Sequence, residues 1–154
     1  MNPWWDAPNT RPALDYPVMR SSVAEVYRRL RSDGTRYQLL VGPRRVGKTI
    51  GLQQIAHRLL RENEVRSICF VRLDDPDLAG LPLGEVMEAY RSRIWSKARL
   101  AFVLLDEVHE AREWARWLKS WSDAREPLRV AAAGSLAPRI VEGSRESGPG
   151  RWDE

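Results

Sequence analysis

The sequence predicts an α/β fold, a three-layer sandwich in which helices cover both faces of a parallel sheet. Short apolar runs typical of strands alternate along the chain with segments whose apolar residues recur at helical spacing. The run at residues 100–105 is apolar almost throughout, as expected for a strand that is covered on both faces. Strands that alternate with helices are parallel and are joined by crossover connections.

Four strands and four helices are expected within residues 21–154. In chain order they are a helix from residue 22 that stops at 33–34, a strand at 37–41, a helix from residue 48, a strand at 65–73, a helix from about residue 83, a strand at 100–105, a helix over 114–121, and a strand at 128–133. The first helix opens on Ser22-Val23-Ala24-Glu25, which has the form of a capping box. Residues 1–20 carry four prolines and are expected to form an extended arm.

The bulk composition is that of a globular protein, with 43% hydrophobic and 30% charged residues. The net charge of +4 comes from arginines dispersed along the chain, which is typical of a solvated basic surface. It suits a protein that handles phosphates and is weak evidence for nucleic-acid binding. Cys69 is the single cysteine, so an internal disulfide is excluded. No apolar stretch reaches the roughly 20 residues of a membrane helix, and no secretory signal is present. A cytoplasmic location is the expectation.

A glycine-rich segment follows the strand at 37–41 and matches G-x-x-x-x-G-K-[ST] at every fixed position. In such a loop, backbone N–H groups converge on a triphosphate, and the following helix points its positive end at the same anion. We expect Lys48 to reach the β- and γ-phosphates and Thr49 to place its hydroxyl on Mg²⁺. The expected nucleotide-binding residues are Gly42, Pro43, Arg44, Arg45, Val46, Gly47, Lys48, Thr49 and Ile50.

Two carboxylates, Asp106 and Glu107, follow the buried strand at 100–105. Ligands of parallel sheets bind at the carboxyl ends of the strands, so this pair should face the same edge as the glycine-rich loop. Asp106 is expected to hold Mg²⁺, and Glu107 to polarise the attacking water. Alone, an Asp-Glu pair is more often a helix cap or a solvated strand end; the intact loop favours the catalytic interpretation.

These motifs resemble those of the prokaryotic AAA-type ATPases, P-loop NTPases of the additional-strand, catalytic-glutamate class. Within that class the chain resembles the single-AAA-domain ATP-binding proteins that commonly carry a nuclease-like C-terminal domain. The resemblance covers about residues 20–151 and rests on residues 41–49, 104–109, 114–119 and 133–135.

The resemblance implies that the strand bearing a sensor residue separates the loop strand from the acidic strand. It places Ser135 near the γ-phosphate, although a helix cap is an equal alternative for this residue. It also implies that Arg151 reaches a neighbouring subunit's nucleotide in a homo-oligomer, against the plainer interpretation of a solvated loop arginine. The family's domain continues into a further strand, a helical lid and a C-terminal domain, so the chain is expected to be truncated and to lack all three.

The function expected from the sequence is Mg²⁺-dependent ATP binding and hydrolysis, with catalytic roles for Lys48 and Glu107. A P-loop phosphotransferase is one alternative, and it would place the acidic strand directly beside the loop strand. A nucleotide-dependent switch or scaffold without turnover is the other. DNA handling is suggested by the family's companion domain, and no residue here reads bases.

Two further features remain open in the sequence. His109 lies two residues after Glu107, where a metal-sensing role is possible in principle and a structural role is the commoner one. Trp114, Trp117 and Trp121 share one face of a helix. That face is expected to belong to the core or to be left for a missing domain.

Overall fold

A parallel five-stranded sheet lies between two layers of helices in the computed structural model, which describes residues 2–10, 18–32, 37–135 and 152–153. The strands are β1 (Tyr37–Gly42), β2 (Ile68–Arg72), β3 (Ala101–Asp106), β4 (Leu128–Ser135) and β5 (Trp152–Asp153). The α-helices are α1 (Ser21–Arg31), α2 (Lys48–Glu62), α3 (Leu83–Arg93) and α4 (Trp114–Asp123). Single 3-10 turns span Pro3–Trp5, Val65–Ser67 and Val108–Glu110. None of the described helices is long and apolar enough to cross a bilayer.

The strands follow the order β2-β3-β4-β1-β5, and every pair is parallel. Strand β4 therefore separates β1, which leads into the glycine-rich loop, from β3, which ends in the acidic pair. This is the order implied by the family resemblance, and it differs from the order that the phosphotransferase alternative requires. The carboxyl ends of β1, β4 and β3 lie along one edge, where Gly42 is in register with Ser135.

The expectation of only four strands was wrong. Trp152 and Asp153 pair with Tyr37 and Gln38 on the side of β1 that faces away from β4. Two extended residues are enough to join a ladder, but they are too few to show the alternation by which a strand is predicted. Residues 136–151, including Arg151, lie outside the described part of the chain.

The two faces of the sheet bury alternate residues of each strand, as the period of two requires. On β3, Val103 and Leu105 pack with α3 and α4, whereas Phe102 and Leu104 pack with α1 and α2. The three-layer sandwich predicted from the sequence is thereby confirmed. Because Asp106 continues the series of Phe102 and Leu104, the same alternation directs it toward α2.

The N-terminal arm is not simply extended, as the sequence suggested, but docks on the edge strand β2. Asn2 donates from Nδ2 to the carbonyl of Phe70 at 3.0 Å and accepts from the Phe70 N–H at 2.7 Å. The indole Nε1 atoms of Trp4 and Trp5 both donate to the carbonyl of Ile68, at 3.0 and 2.9 Å. The arm thus satisfies backbone groups that an edge strand would otherwise expose.

The start of α1 differs from the predicted capping box. The helix begins at Ser21 with Arg20 in the N-cap position, and no side chain caps it. Glu25 pairs instead with Arg28 and Arg29, one turn further along the helix. Charged neighbours at i+3 and i+4 compete for the glutamate and prevent it from reaching back.

Two predicted strand limits also shift. The expected strand at 65–73 begins as the 3-10 turn Val65–Ser67 and becomes a strand only at Ile68. Strand β4 continues through Gly134, where a stop was expected, because Gly134 and Ser135 pair with Val41 and Gly42. Ladder pairing outweighs the weak strand preference of glycine here.

Gly51 allows α1 to pack closely on α2. A Cβ atom at this position would lie 2.8 Å from Cγ2 of Val23. The element that a side chain at this position would meet is therefore α1.

Replacing Gly51 with alanine should destabilise the protein by about 1 kcal/mol. Overpacking against Val23 costs about 1–3 kcal/mol, and the better helix propensity of alanine returns about 1 kcal/mol. Urea denaturation of Gly51→Ala in the wild-type and Val23→Ala backgrounds measures the coupling. The loss should be smaller when Val23 is truncated. Equal effects in both backgrounds would contradict the packing explanation.

Removing the Asn2 side chain should destabilise the fold by about 2 kcal/mol, because the N–H and C=O of Phe70 each lose a partner. Asn2→Ala is compared with Asn9→Ala, which alters an exposed asparagine of the same arm. The control should stay within about 0.5 kcal/mol of wild type in urea denaturation. Equal stability of the two variants would show that the arm does not protect β2.

Candidate functional site

The loop between β1 and α2 owes its shape to two glycines. Gly47 has φ 88° and ψ 21°, a left-handed conformation that L-residues adopt at a cost, and it immediately precedes α2. Gly42 is buried, and a Cβ there would lie 3.3 Å from Cγ2 of Val46. The loop therefore leads directly into the first turn of α2, whose free N–H groups form an anion-binding end.

The remaining loop side chains point to solvent. Pro43, Arg44, Arg45 and Val46 are all exposed. Arg45 has φ 67°, so a non-glycine residue occupies the left-handed region within the loop. The sequence pattern treats this position as freely variable and carries no signal of that strain.

Lys48 folds over the loop that precedes it. Its Nζ donates to the carbonyl of Gly42 at 3.1 Å and to that of Pro43 at 2.8 Å. Arg20, at the start of α1, donates from Nη1 to the carbonyl of Val46 at 2.8 Å. Two cationic side chains thus hold the loop, and sequence reasoning assigned no role to Arg20. A contact across 26 residues leaves no local pattern to detect.

Thr49 and Asp106 come together across the edge of the sheet. The Thr49 hydroxyl Oγ1 donates to Oδ2 of Asp106 at 2.6 Å, and Oδ1 of Asp106 accepts the N–H of Glu107 at 3.1 Å. Asp106 is only 1% exposed, so its carboxylate depends on these donors for hydrogen bonding. Ile50, the next residue of α2, is half-buried.

The oxygens of Thr49 and Asp106 fit a magnesium ion. Mg²⁺ prefers hard oxygen ligands and is usually bound by one or two protein groups together with phosphate and water. Within the described residues no cluster of three or more His, Cys, Asp or Glu side chains forms a self-sufficient metal site. The donor set matches a cation that arrives with a nucleotide better than a permanently bound one.

Glu107 turns away from the strand that delivers it. Its backbone is left-handed, with φ 50° and ψ 48°, and its side chain is 26% exposed. Its carbonyl accepts the N–H of Glu110 at 2.9 Å, which closes the 3-10 turn Val108–Glu110. The reversal separates the Glu107 carboxylate from the buried environment of Asp106.

His109 lies between Glu107 and Ser135. Its Nδ1 is 3.4 Å from Oε2 of Glu107 without hydrogen-bond geometry, and that buried nitrogen has no hydrogen-bond partner among the described residues. Its Nε2 is 3.5 Å from Oγ of Ser135 and 3.3 Å from Oε1 of Glu110. Ser135 itself is buried at the end of β4.

The tryptophan face and the lone cysteine lie apart from these groups. Trp114 is buried in the core, while Trp117 and Trp121 are half-buried and line a groove of about 440 Å³ between α3 and α4. Gly84 on α3 allows the Trp117 ring of α4 to pack against α3, since a Cβ at position 84 would overlap that ring. Burial raises the pKa of the Cys69 thiol and keeps it protonated.

Comparison with known proteins identifies a family, and it finds similar proteins among curated sequences and among solved structures. The sequence model of the AAA domain family matches residues 35–154. The uncharacterized protein MJ1637 of Methanocaldococcus jannaschii is 28% identical over 132 residues, which cover 84% of this chain and 27% of the relative. The structure of PCH-2 from C. elegans aligns with a TM-score of 0.47 and 18% identity over 79% of this chain and 38% of that one. The chain thus spans about a quarter of the length of its curated relative.

Proposed function

Since the chain belongs to the AAA domain family, whose members are nucleotide-binding ATPases, we propose that it binds ATP together with Mg²⁺ and hydrolyses it. The observation that carries the proposal is the 2.6 Å contact of Thr49 with Asp106, beside a loop that ends in an anion-binding helix terminus. Both motifs recognised in the sequence meet at that contact. Neither an ordinary glycine turn nor a solvated strand end requires them to meet.

The loop and Lys48 bind the phosphates. The N–H groups at the start of α2 lack helical acceptors and can donate to phosphate oxygens. The Lys48 ammonium, now 2.8 Å from the Pro43 carbonyl, exchanges neutral carbonyl partners for anionic ones. An ammonium attracts an anionic phosphate oxygen more strongly than a neutral carbonyl oxygen, so the exchange favours the bound nucleotide.

Thr49 and Asp106 are the residues that would hold Mg²⁺. The bound ion would stabilise negative charge on the β- and γ-phosphate oxygens. The Thr49 hydroxyl donates its hydrogen to Asp106, which leaves its oxygen lone pairs free to act as a ligand. The hydrogen bond thus orients the first ligand before the ion arrives.

Glu107 is the proposed base for the attacking water. Its partly exposed carboxylate takes a proton from water, and the water oxygen bonds to the γ-phosphorus. The bond between the γ-phosphorus and the β–γ bridging oxygen breaks, and ADP leaves with that oxygen. Asp106 is sequestered by Thr49 and by the Glu107 N–H, which leaves Glu107 as the carboxylate of the pair with access to solvent.

Lys48→Ala should weaken ATP binding about a hundredfold, the effect of losing about 3 kcal/mol of hydrogen bonding to a charged group. Isothermal titration with ATP and Mg²⁺ measures the affinity. Lys97→Ala is the matched control, because Lys97 precedes β3 at the opposite edge of the sheet and pairs with Glu88. If Lys48→Ala bound ATP as tightly as the control, the loop would not be the phosphate site.

Glu107→Gln should bind ATP as wild type does and lower the rate of phosphate release by at least about a hundredfold, the usual contribution of a general base. Glu88→Gln, an exposed glutamate on α3, is the control and should keep the wild-type rate. Undiminished turnover in Glu107→Gln would remove Glu107 from the mechanism. Saturable ATP binding by wild type without any phosphate release would instead favour a nucleotide-dependent switch.

A further inference from the structure

We propose that His109 is a positioning residue that connects Ser135 to Glu107 and sets the orientation of the Glu107 carboxylate. The inference rests on the proposed function, because it assigns His109 a part in hydrolysis. The histidine occupies the 3-10 turn that directly follows Glu107, and its side chain is 11% exposed. Both ring nitrogens face polar groups of the candidate site.

The contact with Glu107 is one adjustment away from a hydrogen bond. Nδ1 of His109 lies 3.4 Å from Oε2 of Glu107, and it is buried without another hydrogen-bond partner in the described part of the chain. A carboxylate oxygen only accepts, so a hydrogen bond between the two groups requires the hydrogen to be on Nδ1. A buried N–H without an acceptor is unfavourable, and a small rotation of the Glu107 side chain removes that penalty. The imidazole therefore favours one orientation of the carboxylate.

The opposite side of the ring meets the end of β4. Nε2 of His109 is 3.5 Å from Oγ of Ser135, and Ser135 pairs in register with Gly42, the first residue of the loop. Ser135 thus lies between the phosphate-binding loop and the histidine. A phosphate that engages the Ser135 hydroxyl acts on the imidazole, and through the imidazole on Glu107.

The backbone holds the imidazole firmly in this place. The turn is closed by hydrogen bonds from Glu110 N to Glu107 O at 2.9 Å and from Ala111 N to Val108 O at 3.2 Å. Val108 is fully buried and anchors the turn in the core. Glu110 also lies close to the ring, with its Oε1 3.3 Å from Nε2. A ring fixed in this way transmits an orientation, which a mobile side chain does not.

Steady-state kinetics of two substitutions test the role. His109→Phe keeps a planar ring without nitrogens, and His109→Asn keeps an N–H donor close to the position of Nδ1. We expect His109→Phe to lower kcat about tenfold at nearly unchanged KM, the loss that corresponds to one orienting hydrogen bond. His109→Asn should recover most of the rate. His57→Asn is the control, since His57 on α2 also has a buried Nδ1 without a partner in the described residues, and it should behave as wild type.

Three results would overturn the inference: wild-type kcat in His109→Phe, equal loss in both His109 variants, or a loss confined to KM. Each is incompatible with a residue that orients the Glu107 carboxylate for the chemical step. For substitutions that fail to fold, ¹⁵N-histidine NMR of wild-type protein and Glu107→Gln gives a second measurement. The His109 resonances, assigned with His57→Asn, should show a protonated Nδ1 and should shift in Glu107→Gln.

If the His109 resonances did not shift in Glu107→Gln, that result alone would refute the contact between His109 and Glu107. The outcomes also separate this inference from the proposed function. If the wild-type protein released no phosphate, the hydrolysis proposal would be wrong. The NMR comparison would still show whether His109 contacts Glu107. A wild-type rate in His109→Phe, with Glu107→Gln inactive, defeats only the role of His109.

Discussion

The parallel pairing of β4 with both β1 and β3 is the constraint on which the candidate site depends. It brings the carboxyl ends of three strands to one edge, and it sets Ser135 beside Gly42. Each of these strand ends carries a different functional group. β1 leads into the glycine-rich loop, β3 ends in the acidic pair, and β4 ends in the hydroxyl of Ser135. A shift of one residue in the register would turn Asp106 toward the opposite face of the sheet, away from Thr49.

The parts of the fold that the sequence predicts are those that depend on local patterns of the sheet strands. The glycine-rich loop and Asp106 lie at the carboxyl ends of strands whose hydrophobic patterns are unambiguous, so the sequence predicts their places in the fold. The arm, β5 and the surroundings of His109 depend on contacts distant in sequence. Asn2 forms a hydrogen bond with Phe70, which is 68 residues away, and no pattern in the sequence near Asn2 predicts that partner. Local patterns predict the helices and strands well, but they do not predict which segments cover the edge strands of the sheet.

Both edges of the described sheet are occupied by segments near the ends of this sequence. The arm covers β2 through side-chain amide and indole groups, and β5 covers β1 through a two-residue ladder. The two edge strands are covered in different ways. Two extended residues continue a parallel ladder at little cost beside β1, whereas the compact turn at Pro3–Trp5 covers β2 with side chains alone.

Asp106 and Glu107 show how neighbouring residues of one type acquire different chemistry. Strand geometry buries Asp106 and supplies it with two donors, the Thr49 hydroxyl at Oδ2 and the Glu107 N–H at Oδ1. The left-handed backbone at Glu107 ends the strand and leaves the second carboxylate partly exposed beside His109. In the proposed mechanism, environment rather than residue type separates the metal ligand from the base. The backbone reversal at position 107 matters to the proposed chemistry, because a continued strand would point Glu107 to the face of the sheet opposite Asp106.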